Sequence, residues 1–470
     1  MYRTLLAAGL VWWATLVQWP ARGEEAEEAA PPIEIELSGR PIETPLLKYR
    51  LFPEESQLRP GNAAVILLRI GWDNTAFFMH VVPMFKKWET LPLGDPEWGN
   101  SGGVLPNSFF AEMKRAAYRR DAAWEYPIGE SLPRGEILLP DIQGARDFVR
   151  AGLVGKARYH LTQGQLEQAR ETVLVALAIF RHYARTPSAV VQGNASANTR
   201  AILGCVDEMI GQRDSPNLYW ALTALPRPMF DLRPSIELEQ TIEIGAETIS
   251  LADLDRERTP ERWRELANKL IDSINDFGVH QLQEAKSIDR AVYLAYAREM
   301  AADWAGQLPE NGSQASDDEA IVRCFVSQRT RNLQQIAGLV GLPPHLAIDG
   351  LRKLDEQSQK RYERLKVSKQ AGAMLLMNGL ASSVYSVGSV ERKIDMLRVI
   401  EAIRAHVAAH DGKLPESLAD IADLPIPLDP LSQQPFKWKA GHKVGRLSAP
   451  HVAGGRDPNW ANFTYMVRVP

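Results

Sequence analysis

DIQGARDFVRAGLVGKARYHLTQGQLEQARETVLVALAIFRHYA, residues 141–184, is the stretch on which the fold turns. In its first half Ala145, Phe148, Val149 and Gly152 fall three or four apart, with Arg and Lys on the opposite side. In its second half Leu166, Ala169, Val173, Ala176, Leu177 and Phe180 make one apolar stripe at helical spacing. Only Thr162, Gln163 and Gly164 separate the two halves, so the helices must turn back on each other as an antiparallel hairpin. A pair of this kind cannot bury its own face and needs neighbouring helices to stack on.

The rest of the chain supplies candidates. PGNAAVILLRIGW, residues 60–72, opens with a turn signal and runs into an apolar segment that fits a buried helix or a strand; its two alanines favour helix. TPERWRELANKLIDSINDF, residues 259–277, has Thr259 as an N-cap and Pro260 at the first helical position. SIDRAVYLAYAREMAADWAG and PPHLAIDGLRKLDEQSQKRYERLK read as further helices, and GQLPENGSQASDDE, residues 306–319, as a linker. After the helical run ERKIDMLRVIEAIRAHVAAH the pattern alternates. Phe436 and Trp438 share one face, and Phe463, Tyr465, Val467 and Val469 another, which predicts a small β module at the end.

The expected fold is therefore mainly α: an α-helical stack of the solenoid kind with a small C-terminal β module. The segments read as a signal peptide over 1–23, an exposed acidic, proline-rich leader over 24–47 and a helical domain over 48–305. The linker at 306–319, a second helical region over 320–411 and the β-containing module over 412–470 complete the chain.

Composition narrows the function. The 470 residues are 45% hydrophobic and 24% charged, values of a folded chain, and a net charge of -4 gives no reason to expect a nucleic-acid partner. Arg3, the apolar run Leu5–Trp19 and the small-residue pattern at Ala21–Gly23 form an export signal, or an anchor if it stays uncleaved. Cys205 and Cys324 either pair or serve as two small buried apolar side chains.

The hairpin resembles a tetratricopeptide repeat unit. Gly164, Leu166, Ala169, Val173, Ala176 and Leu177 stand where that family's second-helix pattern places them, and Ala157 fits its small first-helix position. The likeness covers about one 34-residue repeat, and His160 stands where that family has an aromatic. Together with PGNAAVILLRI, PNLYWALTALPRP and the ending HDGKLPESL with DPLSQQPF, the chain resembles exported bacterial proteins of unknown function from about residue 45 onward. The ending is also similar to pseudopilin globular heads, with Gly412, Leu414, Pro415, Asp429, Pro430 and Phe436 in the matching places. The N-terminal methylated helix of pseudopilins has no counterpart next to that ending. These resemblances name no activity.

Chemical motifs are sparse: there is no Walker loop, HExxH, GxGxxG or CxxC. His406 and His410, spaced i and i+4, are weak metal candidates, equally explained by a helix C-terminus. Acid pairs such as Glu237 with Glu239 and Asp317 with Asp318 read as solvated faces.

The remaining candidate is SPNLYWALTALPRPMFDLRP, residues 215–234. Ser215 and Pro216 predict a helix start and Pro226 its stop, with Leu218, Ala221, Leu222 and Leu225 on one stripe. Arg227, held between two prolines, needs an acceptor: an internal acid such as Glu237 or Glu239, or a partner's carboxylate. Tyr219, Trp220 and Arg227 are thus expected to line a partner-binding surface. The chain reads as an exported scaffold or protein-interaction protein of the periplasm or cell envelope, with a protein partner, no catalytic residue and no cofactor. Membrane contact is expected only through an uncleaved N-terminal segment. The alternatives are an envelope hydrolase with carboxylates in a helical cleft, or a component of a pseudopilin-like assembly.

Overall fold

The computed structural model describes residues 31–73, 81, 84, 86–100, 105–124, 140–186, 189–238, 242–244, 247–276, 289–300, 315–365, 378–452 and 463–470. The proposed signal segment 1–23 and most of the proposed linker lie outside these residues.

In chain order the elements are β1 (Ile33–Glu36), β2 (Arg59–Asn62), α1 (Ala63–Asp73), α2 (Asn107–Ala117), β3 (Arg119–Asp121), α3 (Pro140–Thr162), α4 (Leu166–Tyr183) and α5 (Ala189–Ile210). They continue as α6 (Tyr219–Thr223), α7 (Arg233–Leu238), β4 (Ile242–Ile244), β5 (Glu247–Ile249), α8 (Pro260–Asp276), α9 (Arg290–Glu299), α10 (Asp317–Val340), α11 (Pro344–Leu365) and α12 (Asn378–Ala409). The chain closes with β6 (Lys437–Lys439), β7 (Val444–Ser448) and β8 (Thr464–Arg468). The fold is mainly helical with a small mixed sheet.

Two compact units form. The first is built chiefly from Leu232–Val384, the second from Glu27–Glu125, Asp141–Asp231 and Tyr385–Pro470. In the first, α10 packs against α8, α9 and α11, and Trp263, Leu266, Leu270, Tyr293, Ile321 and Phe325 belong to its core. Helix α8 begins as its sequence requires: Thr259 accepts from the Arg262 amide at 3.3 Å through its hydroxyl, and Pro260 takes the first position, where no amide is needed. Helix α10 starts at Asp317 under a Ser316 cap, so the last residues of the expected linker are helical.

In the second unit the hairpin turn forms at Gly164, whose φ of +67° is the left-handed conformation that side chains disfavour. The Gln165 amide closes it by donating to the His160 carbonyl at 2.8 Å. Helix α4 then packs chiefly against α5 and α2. The expected stripe is buried apart from half-buried Leu166, but Leu174, Val175, Ala178 and Ile179 are buried too, so α4 is enclosed on every side from Thr172 to Phe180 while its first turn stays open at Glu167 and Gln168. Each buried leucine, valine, isoleucine or phenylalanine here contributes about 1.5–3 kcal/mol.

The sheet order is β1-β8-β7-β6, with β8 antiparallel to β7 and parallel to β1. The region expected to be an exposed leader thus supplies an edge strand, with Ile35 and Leu37 buried beneath it. The cause is its IEIEL alternation, which suits a half-covered strand. The segment 63–73 is helical, as its alanines favoured.

Candidate functional site

The block 215–234 is built differently from its sequence reading. Helix α6 starts at Tyr219, three residues later than a Ser215 cap and Pro216 at the first position suggest, and Leu218 is its N-cap residue. Asn217 does the turning: its side-chain oxygen accepts from the Tyr219 amide at 3.0 Å while its amide nitrogen donates to the Glu401 carbonyl at 2.9 Å. Tyr219 is fully buried and lines no open surface. Its hydroxyl donates to the Pro425 carbonyl and accepts from Arg398 at 3.1 Å, with the Arg398 guanidinium 5.1 Å from the ring centre. Trp220 is half-buried and meets Tyr219 edge-to-face at 5.2 Å.

Arg227 finds acceptors inside this chain, on residues the sequence does not point to; the Glu237 side chain and Glu239 lie outside the described residues. It donates to Glu391, and to Asp395 at 2.7 and 3.2 Å, with both acids on α12. The second Glu391 oxygen accepts from the Met229 amide at 2.7 Å. Burial pushes the Glu391 carboxyl up from its usual range, and the Arg227 charge opposes that rise. The residue expected to reach a partner instead ties the proline-rich segment to α12.

The same helix carries more buried charge. Arg392 grips Asp429 through two 2.7 Å bonds, both side chains fully buried. Lys393 meets Asp207 at 2.5 Å and also donates to Tyr465, whose hydroxyl donates to Asp207 at 3.0 Å. Arg404 pairs with Glu401, which also accepts from the Leu218 amide at 3.0 Å. Burial raises the carboxyls of Asp207 and Glu208; Lys393 counters the first and Arg158 the second, the latter through a 2.8 Å bond. Each of these acids has a cation on it.

An open feature of this unit is a cleft of about 400 Å³ between residues 50–56 and the end of α6, where buried Ala221 and exposed Ala224 border it. Half-buried Phe52 and the alanine methyls give it an apolar patch, with Leu51 and Pro53 buried behind it. Arg50, Glu54, Glu55 and Ser56 give it a polar rim. The rim acids are engaged, Glu54 by Arg50 at 2.9 Å and Glu55 by Arg120 at 3.1 Å. The wall is stiffened by a capping box in which the Glu54 amide donates to Gln57 at 3.2 Å. Small residues on α6 leave the space open: at Ala221 and Ala224 the helix presents only methyl groups. The block singled out in sequence does border the cleft, through its alanines and not through Tyr219 or Arg227.

His406 and His410 stack with ring centres 3.8 Å apart, and His410 Nδ1 lies 2.9 Å from the His406 carbonyl. Burial and the neighbouring His410 lower the His406 pKa. Among the described residues no group of three or more His, Cys, Asp or Glu is placed to hold a metal ion. Asp317 and Asp318 are paired with Arg298 and Arg290, the first at 2.8 Å. Cys205 and Cys324 are buried free thiols. One pattern that sequence reading passes over, Gly99-Asn100-Ser101-Gly102-Gly103, fits the spacing of a nucleophile elbow. Its first two residues end a 3-10 turn at Pro96–Asn100 where an elbow needs a strand, and 101–103 lie outside the described residues. No described helix is long and apolar enough to cross a membrane.

Protein-family models, curated proteins and solved structures give no match to this chain.

Proposed function

We propose that the chain is an exported helical scaffold or interaction protein of the cell envelope, its helices arranged as a TPR-like stack, which holds its partner in the cleft between residues 50–56 and α6. The observation that carries this reading is the cleft itself. It has the volume of a ligand site, an apolar patch at Phe52 and the alanines within a mainly polar lining, and its acids are already paired with cations. The hairpin turn at Gly164 supports the repeat-like arrangement, and the apolar run after Arg3 supports export. A hydrolase would need two convergent acids free to exchange protons, whereas Asp207, Glu208, Glu391 and Glu401 are each held by a cation. A pseudopilin-like role would need a detachable C-terminal module, whereas β8 pairs with β1 and Asp429 is locked to Arg392.

Affinity capture from envelope extracts tests this, comparing the chain with its Ala224→Trp variant. Ala224 is exposed, so an indole there fills the cleft without entering the core. The reading predicts a specific partner recovered by the parent chain and lost by the variant. Equal recovery by both overturns it.

A further inference from the structure

In the first unit, α10 and α11 meet at a tip without Asp, Glu, Lys or Arg. Residues 332–348, NLQQIAGLVGLPPHLAI, have His345 as their one ionisable side chain, in a protein that is 24% charged. Helix α10 ends at Val340 with Gly341 as its C-cap residue. The Leu342 amide then donates to the Leu339 carbonyl at 2.9 Å, and the Leu346 amide to the Pro343 carbonyl at 2.9 Å, which turns the chain into α11. Ile336, Ala347, Ile348 and Leu351 are buried, and Gly350 admits a close approach, since a Cβ there would lie 2.3 Å from a Leu339 methyl. Leu342 and Leu346 instead face outward, 45% and 53% exposed, with exposed Pro343 between them.

Behind the tip the charge is one-sided. From 320 to 354 the chain has five cations, Arg323, Arg329, Arg331, Arg352 and Lys353, against the single acid Asp349. Arg323 is buried on Glu319, whereas Arg331, Arg352 and Lys353 are exposed. Arg331, Gln335 and Gly338 fall at i, i+4 and i+7 on one exposed face of α10; Leu346, Asp349 and Lys353 do the same at i, i+3 and i+7 on α11. At the helical rise Lys353 stands roughly 10 Å behind Leu346, and Arg331 roughly 14 Å behind the helix end at Val340.

An isolated exposed leucine is ordinary, but two on an uncharged tip with cations behind them form a pattern. Two leucines and a proline supply too little area for a stable protein interface, which takes about 800 Å² from each partner. A bilayer surface asks for less: apolar side chains that enter about 5–10 Å, and cations that stay with the phosphates on long side chains. Such contact needs no spanning helix.

We propose that the α10–α11 tip docks the protein on an anionic bilayer surface, with Leu342 and Leu346 entering the interface and Arg331, Arg352 and Lys353 facing lipid phosphates. The inference is independent of the cleft, whose lining belongs to the second unit.

The test is co-sedimentation of the purified full chain with vesicles of phosphatidylcholine and phosphatidylglycerol in equal parts, and with vesicles of phosphatidylcholine alone. The anionic vesicles should bind about tenfold or more tightly than the neutral ones. Leu342→Glu combined with Leu346→Glu should weaken that binding about tenfold or more while leaving the melting temperature unchanged, because both positions are exposed. Lys353→Gln should weaken it about fivefold and Asp349→Asn strengthen it about fivefold, opposite signs from two exposed neighbours on one helix face. Absence of binding overturns the inference, as does binding that the double leucine variant leaves unchanged, which would place the contact elsewhere on the chain. Equal binding to neutral and anionic vesicles, or binding indifferent to positions 349 and 353, overturns it as well. A dimer in gel filtration that the leucine variant disperses, without vesicle binding, assigns the tip to a second copy and overturns the bilayer contact.

Discussion

Removing Arg227 should damage the fold and not merely an interaction. Arg227→Ala deletes the cation that faces Glu391 and Asp395, whose side chains are 6% and 8% exposed. Truncating one member of a buried pair costs about 3–5 kcal/mol, because the acid left behind stays desolvated. Two features reduce that figure here: the Arg227 side chain is itself 32% exposed, and Arg398 remains on Asp395 at 2.9 Å while the Met229 amide remains on Glu391. The expected loss is therefore about 2–3 kcal/mol at neutral pH. Urea unfolding followed by circular dichroism measures it as a lower midpoint with an unchanged slope. Adding Glu391→Gln to the variant should return about 1–2 kcal/mol, since the uncompensated charge is then gone. The pH dependence has a definite sign. Burial already lifts the Glu391 carboxyl above 4.5, and losing Arg227 lifts it further. An acid with a raised folded pKa stabilises below its unfolded pKa and loses that contribution as pH rises through the folded value. The Arg227→Ala penalty should therefore shrink as pH falls from neutral toward about 4.5. An unchanged midpoint at neutral pH would refute the reasoning, and would return Arg227 to the role of a free surface group.

Two more perturbations follow the same physics. Asp429→Ala leaves the fully buried Arg392 guanidinium without its acid and should cost about 3–5 kcal/mol, much of it recovered by adding Arg392→Met; denaturant midpoints of the two variants check this. Burial, with Arg185 adding to it, holds the His182 imidazole down at about 4. Its contribution to stability is present above the ordinary 6.5 and is lost as pH falls through about 4, by up to ~3 kcal/mol; His182→Leu should flatten the stability profile over that window.

Much of the helical framework was legible because local signals set it. Thr259-Pro260 marks a helix start wherever it falls, and Gly164 marks a turn because few other residues accept its backbone angle. Strand β1 was legible in principle through its alternation, but its acidic residues read as solvated. Its partner β8 lies at the other end of the chain, where no local rule reaches. The same distance hid the role of Arg227: a buried cation demands an acceptor, yet nothing local points to acids 164 and 168 positions away. Helix α12 misleads most. Glu391, Arg392, Lys393, Asp395, Arg398, Glu401 and Arg404 place charge all around the helix, which local rules assign to solvent, but Arg392, Glu401 and Arg404 are fully buried because Asp429, Leu218 and Ser215 meet them from distant segments. The cleft had no sequence signature, since alanines on a short helix say nothing about the loop opposite them.

Site-specific photo-crosslinking tests the central claim most directly. A benzoylphenylalanine at Ala224 places the reactive group in the cleft, and one at the exposed turn residue Gln163 serves as the control. In envelope extracts the account predicts a discrete adduct from position 224 and none from 163. An adduct from 163 with none from 224, or equal labelling at both, would contradict it.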